Sequence, residues 1–227
     1  MKILKYQQWH LIILIVLLFS VYVLTKFDNT ILGGSLLSNL TKYWFLLAIL
    51  SPIIHQIYVV ICWRYELHYK GITKLFGNLG FKLFKLGFGI LFASRLITIT
   101  LLAISNQYTM DFNTTISFSL SVILMMPVVY LFYSVIKYFG IDRAFGSDHF
   151  YPEIIKNTPL VNQGIFKYTT NGMYIFGFIM LWIPGILFQS KAALLSALFS
   201  HIYIWVHYYF TELPDMKDIY GINENKD

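Results

Sequence analysis

Gly164-Ile165-Phe166-Lys167-Tyr168-Thr169-Thr170-Asn171-Gly172-Met173-Tyr174 opens an apolar run that lasts to Phe210, and Glu212-Leu213-Pro214-Asp215-Met216-Lys217-Asp218-Ile219-Tyr220-Gly221 closes it. The run is interrupted only at Gln189-Ser190-Lys191. Residues 173–188 and 192–210 therefore read as two antiparallel arms of a helical hairpin. A polar Tyr/Asn segment enters the hairpin and an acidic Pro-Asp segment leaves it, so both emerge at the same end. That order predicts an all-α fold in apolar surroundings, with two polar loops facing each other.

The rest of the chain agrees. Of 227 residues, 57% are hydrophobic and 12% charged, about half the roughly 25% charged content of soluble domains. The 17 Tyr and 20 Phe suit lipid-facing surfaces and interfacial belts. Further apolar stretches cover 9–25, 44–63, 86–104 and 116–139, each close to the ~20 residues a span requires. Continuous rather than alternating apolarity favours helices over a barrel. The expectation is a polytopic helical membrane protein of about six transmembrane helices and a single domain, 1–227. Residues 1–43 carry the first span, and no small-x-small cleavage site follows it. Pro52, Pro127 and Pro184 are expected to kink their helices.

Charge orients the set. Arg64, Lys70, Lys74, Lys82 and Lys85 lie between the second and third spans with one opposing Glu66, whereas 105–115 holds no Lys or Arg. By the positive-inside rule the basic loop is cytoplasmic, and alternation puts the N-terminus, 140–172 and the tail after Thr211 there too. The sequons at Asn39 and Asn113 then fall outside. Arg64 and the lysines read as topology determinants attracted to anionic lipid. The lone Cys62 excludes an intrachain disulfide and a cysteine zinc site, and no paired-histidine metal spacing occurs.

On the last arm, His201, Trp205, Tyr208 and Glu212 follow at i, i+4, i+7 and i+11, one stripe of an α-helix. An imidazole, two aromatic rings and a carboxylate there suit a polar cavity that holds a cation, through charge and cation–π attraction. An interfacial aromatic belt accounts equally well for Trp205 and Tyr208. His207 points to another side. Arg95 lies inside a span that holds no acidic partner, and an intramembrane Arg marks a functional site or a snorkelling side chain. Asp142, Arg143, Asp148 and His149 share a loop and read either as a lid or as a solvated connector.

The two loops and the hairpin between them resemble the C-terminal half of the integral-membrane phospholipid methyltransferases, including the phosphatidylethanolamine N-methyltransferase and isoprenylcysteine carboxyl methyltransferase types. Tyr168, Asn171, Met173 and Tyr174 match the first family motif; Glu212, Pro214, Ile219 and Tyr220 match the second. Weaker similarity reaches back to about Pro52. Gly172 replaces the family's proline, Thr170 an arginine and Leu213 a second glutamate. Met125-Met126-Pro127 stands where the phosphatidylethanolamine enzymes have Gly-x-Gly.

The resemblance implies S-adenosyl-L-methionine as cofactor, bound by Tyr168, Asn171, Met173, Tyr174, Glu212, Pro214 and Tyr220 within a core at 164–221. It implies methylation of a phospholipid amine such as that of phosphatidylethanolamine. In this reading Glu212 and His201 are catalytic, His201 as proton acceptor, and Arg95, Trp205 and Tyr208 bind substrate. The expected partners are the bilayer and a membrane lipid, with no nucleic acid and no metal. The expected place is a bacterial inner membrane or the endoplasmic reticulum, with the site facing the cytoplasm. Three alternatives stand beside it. One is carboxyl methylation of a prenylated cysteine. The second is a membrane steroid reductase, whose Tyr-x-Gly-Glu continuation is missing in Tyr174-Ile175-Phe176-Gly177-Phe178. The third is a non-catalytic membrane scaffold.

Overall fold

The computed structural model describes residues 2–221 apart from 157 and 160. In chain order the helices are α1 (Gln7–Phe27), α2 (Thr41–Tyr69), α3 (Gly71–Phe76), α4 (Gly80–Ser105), α5 (Thr114–Ser134), the short α6 (Ile141–Ala144), α7 (Ser147–Phe150) and α8 (Pro152–Ile155), then α9 (Trp182–Leu187), α10 (Lys191–His207) and α11 (Leu213–Tyr220). A two-stranded hairpin, Ser35–Leu36 with Asn39–Leu40, joins α1 to α2. Four helical segments have the length and apolarity to cross a bilayer: Lys2–Phe27, Thr41–Tyr69, Gly71–Ser105 and Thr114–Phe139. At about 1.5 Å per residue, the 21 residues of α1 extend roughly 32 Å.

The two hairpin arms are present but shorter than expected. Met173–Leu187 is an apolar helix below spanning length, wound as a π turn (Met173–Gly177), a 3-10 turn (Phe178–Leu181) and α9. Its partner α10 has 17 residues. Ser190 starts α10 by accepting from the Ala193 N–H, a serine N-cap that ends the hairpin turn. The small residues Ala192, Ala193, Ser196, Ala197 and Ser200 are all buried. They let the backbone of α10 approach its neighbours closely, as small residues do between membrane helices. Phe199 and Tyr203 fill the remaining space with Leu102 and Ala103 of α4 and Ala48 and Ile49 of α2. The hairpin is thus a central element, and α1, α2 and α4 direct exposed Leu, Ile and Phe side chains outward.

At the hairpin-tip end a single amide collects three connections. Asn106 Nδ2 donates to the Thr30 and Gly33 carbonyls at 2.9 and 2.8 Å. Its Oδ1 accepts from Ser190 Oγ, the Ala192 N–H and Thr109 Oγ1, each at 3.0 Å. The α1–α2, α4–α5 and hairpin turns are thereby fixed to one another. Gly34 allows the approach: at φ +105° a Cβ there would stand 2.2 Å from the Ser105 carbonyl oxygen.

At the opposite end Arg64, read from the sequence as a topology determinant, is fully buried. Nε donates to both oxygens of Asp215 at 3.1 Å. Nη1 donates to the Ile3 and Lys5 carbonyls, and Nη2 to those of Phe210 and Thr211. One planar guanidinium thus ties the N-terminal turn, the end of the last arm and α11 to the middle of the bundle, a fork that lysine's point charge does not reproduce. Glu66 is buried too, and accepts from the Thr73 N–H and hydroxyl at the start of α3.

Candidate functional site

Both motifs sit at the Arg64 end, and each is wound as a π turn. Met173–Gly177 carries the end of the first motif, and Tyr208–Glu212 leads into the second. A third π turn, Val135–Phe139, ends the α5 rod beside them. Such wider turns recur at functional sites because they displace side chains from the α-helical stripe. The first-motif segment is anchored by Ser134, whose Oγ accepts from the Ile165 N–H at 3.0 Å, while Ile165 and Phe166 pack on Leu131. The Asn171 carbonyl accepts from the Tyr174 and Ile175 N–H groups and so begins the arm. Pro214 stands in the first turn of α11, where its missing N–H costs nothing.

The Tyr174 hydroxyl donates to Glu212 Oε2. The two motifs, 38 residues apart in sequence, are therefore in direct contact, as their flanking of one hairpin requires. Tyr174 also meets Trp205 and Tyr208, with ring centroids 5.8 and 5.3 Å away. Glu212 lies past the apolar arm, and burial, aided by Asp148 and Asp215 nearby, pushes its carboxyl up to about 8. Tyr220 is held by the loop that precedes the first motif: Arg143 Nη2 donates to its hydroxyl at 2.7 Å, and that hydroxyl donates to Asp148 at 3.2 Å. Arg143 pairs with Asp148 at 3.6 Å. The loop holding Asp142 to His149 is thus a structural part of the second motif rather than a solvated connector. Its His149 ring stacks on Trp63 with centroids 4.1 Å apart.

Beside this contact lies a cavity of about 380 Å³, walled by α2, α4, α5, α6, the first arm and α10. Met173, Tyr174 and Arg95 line it. So do His55, Trp63 and His207, which the sequence did not single out for this place. Gly146 is required next to it: at φ +83° a Cβ there would stand 2.4 Å from the Trp63 ring.

The stripe expected on the last arm holds only in part. Trp205, Tyr208 and Glu212 gather around Tyr174, but His201 is outside the cavity lining. It lies about 6 Å deeper than Trp205 by helical rise, where Phe178 and Trp182 of the facing arm cover it. Its Nδ1 accepts from the Trp182 indole N–H at 3.1 Å. His207, expected to point elsewhere, is buried and does line the cavity. Both histidines lie in the regular α10, so the exchange comes from which side of that helix meets the cavity: the His207 side faces Trp63 of α2, and the His201 side faces Trp182 of the first arm. Tyr168 is 76% exposed and lies outside the cavity lining. Asn171 is partly buried at the start of the arm.

Together these features define a helical membrane protein whose acidic, aromatic loop pair closes one end of a buried apolar cavity. Residues 116–223 match the family model of the phospholipid methyltransferases, and the resemblance carried by the two motifs holds over that segment. The match supports a phospholipid methyltransferase-type function for this membrane protein. The weaker similarity upstream to Pro52 lies outside the matched residues, as do α1, α2 and α4. No curated protein and no solved structure matches the chain.

Proposed function

We propose that the protein is an S-adenosylmethionine-dependent methyltransferase that methylates the amine headgroup of a membrane phospholipid such as phosphatidylethanolamine. The observation that carries this reading is the Tyr174–Glu212 contact, which joins two family motifs at the edge of an apolar cavity. The residues present suit the cofactor. It carries a sulfonium and an ammonium, and the gathered carboxylate and ring faces of Glu212, Tyr174, Trp205 and Tyr208 stabilise positive charge. When bound, the cofactor supplies an electrophilic methyl group. Asn171, Met173, Pro214, Tyr220 and the exposed Tyr168 are assigned to the same ligand by their place in the motifs. Arg95, Trp205 and Tyr208 are assigned to the lipid.

A phospholipid ammonium has an ordinary pKa of roughly 10, like lysine, and must lose a proton before it attacks. His207 lines the cavity with Nδ1 unpartnered among the described residues, whereas His201 is engaged with Trp182. The role expected of His201 therefore passes to His207. Loss of a positioned base lowers turnover by about 10²–10⁴, so His207→Ala is expected to fall in that range and His201→Ala within a few-fold of wild type. The basic loops and both motif loops are assigned to the cytoplasmic face, from which a soluble cofactor enters.

Calorimetry with the protein in nanodiscs tests the reading. Cofactor binds to the wild type, and Asn171→Ala and Glu212→Gln weaken it. Radiolabelled methyl appears in phosphatidylethanolamine. A folded wild type that binds no cofactor at millimolar concentration rules the reading out.

A further inference from the structure

The cavity walls hold a set of polar groups with no partner. Arg95 Nε and Nη2, both ring nitrogens of His55, Trp63 Nε1 and His207 Nδ1 are buried without a hydrogen bond among the described residues. Arg95 is 5% exposed and His55 2%. The Arg95 guanidinium lies over the Phe178 ring at 4.9 Å, and the His55 ring stands edge-on to Phe88 at 4.5 Å. Among the described residues no Asp or Glu lines the cavity. A buried guanidinium with neither counter-ion nor full hydrogen bonding costs several kcal/mol. A ligand anion removes that cost, and charge-assisted bonds to arginine are among the strongest available.

Apart from Gln56 and Tyr174 the rest of the lining is apolar, with residues such as Leu96, Leu131 and Ile204. The ligand that satisfies both parts is an amphiphile with one oxyanion group and hydrocarbon chains. Arg95 shares the cavity wall with Tyr174 of the first motif. Arg95, His55 and Trp63 belong to α2 and α4, outside residues 116–223.

We propose that Arg95 and His55 form an anion subsite in this cavity, which holds the phosphodiester or carboxylate group of a membrane amphiphile with its chains along the apolar walls. As the substrate's anchor it rests on the methyltransferase reading; as a lipid site it stands without it. The helices outside the family-matched segment then set which lipid is accepted.

The test is binding of short-chain lipids to the purified full-length protein in detergent, read by native mass spectrometry. The probes are a phosphatidylethanolamine, the diacylglycerol of the same chains and a fatty acid of the same length. Wild type is expected to prefer the phosphatidylethanolamine over the diacylglycerol by at least tenfold. Arg95→Gln removes the preference while leaving cofactor affinity unchanged, Arg95→Lys restores part of it, and His55→Ala reduces it. Should Arg95→Gln fail to fold, His55→Ala and Arg95→Lys carry the comparison. An equally tight, Arg95-dependent fatty acid supports the subsite and identifies a lipid carboxylate as its ligand. Equal binding of phosphate-bearing and phosphate-free lipid by the wild type overturns the subsite, as does an unchanged lipid KM in Arg95→Gln. An Arg95-dependent preference in a protein that binds no cofactor keeps the subsite and removes the methyltransferase reading.

Discussion

Two charged side chains carry the strongest consequences at the scale of single residues. Arg64 and Asp215 are both buried, and each is the other's counter-ion. Removing one partner of such a pair typically costs about 3–5 kcal/mol, because the other charge stays in the interior unpaired. Arg64→Met is therefore expected to lower thermal stability sharply, and Arg64→Met with Asp215→Leu to recover the part due to the unpaired carboxylate, but not the part due to the four carbonyls that lose a donor. A double variant no more stable than the single one contradicts this account. Glu212 supports a proton measurement. Its folded carboxyl titrates at about 8 against an ordinary value of 4.5. Between those values the folded state holds the extra proton, so its contribution to stability falls as pH rises through that window. A cation placed against Glu212 favours the ionised form. Cofactor binding at pH 7 is expected to release up to about one proton, seen as different calorimetric heats in buffers of different ionisation enthalpy. Equal heats in all buffers mean that the cation does not sit against this carboxylate.

Among the elements, the winding of the two arms decides the site. A continuous α-helix over 192–210 places His201, Trp205, Tyr208 and Glu212 on one stripe, and the sequence supports that reading because nothing in Tyr208–Glu212 signals a break. Just beyond it, however, Pro214 has no N–H to donate to the Phe210 carbonyl, and tertiary partners take that carbonyl instead. Arg64 Nη2 donates to the Phe210 and Thr211 carbonyls beside its pairing with Asp215, and Gln7 Nε2 also donates to the Phe210 carbonyl. The α7 segment shows the same dependence on packing. Gly146 closes the turn into α7 against the Trp63 ring, so Gly146→Val combines an unfavourable φ with a clash. It is expected to displace Trp63 and His149, quench the cavity's lipid binding, and leave the helical circular dichroism near wild type. Unaltered lipid binding in that variant means that Trp63 is not a wall the ligand needs.

Across the whole molecule the polarity is divided. Acidic and aromatic groups gather where the motifs meet, and unpartnered donors line the cavity. The proposed reaction, which brings a cationic cofactor to a phosphate-bearing lipid, requires that division. The shared end of the two motifs is testable without activity. Single cysteines introduced at Thr170 and Asp218, in a Cys62→Ser background, are expected to react with an impermeant maleimide from the same side of the membrane as one at Lys74. Labelling of Thr170 and Asp218 from opposite sides contradicts a common site.

The membrane class, the helical hairpin and the placing of both motif loops at one end were legible from the chain, because apolar run length and the order of loops around a hairpin are local properties of sequence. The family resemblance followed from short motifs inside 164–221. The number of full-length spans was less legible, since apolarity over 173–188 does not distinguish a straight helix from one wound through π and 3-10 turns. The burial of Arg64 was hidden because its partner, Asp215, lies 151 residues away, and a basic residue at a span end reads as a topology signal until a carboxylate is found beside it. Asn106 was hidden for the same reason, its partners coming from three separate turns. The exchange of His207 for His201 and the donor-lined cavity were decided only by tertiary structure. Which face of a helix meets a cavity, and the absence of a partner for a buried polar atom, are properties of packed neighbours and not of any one segment of the chain.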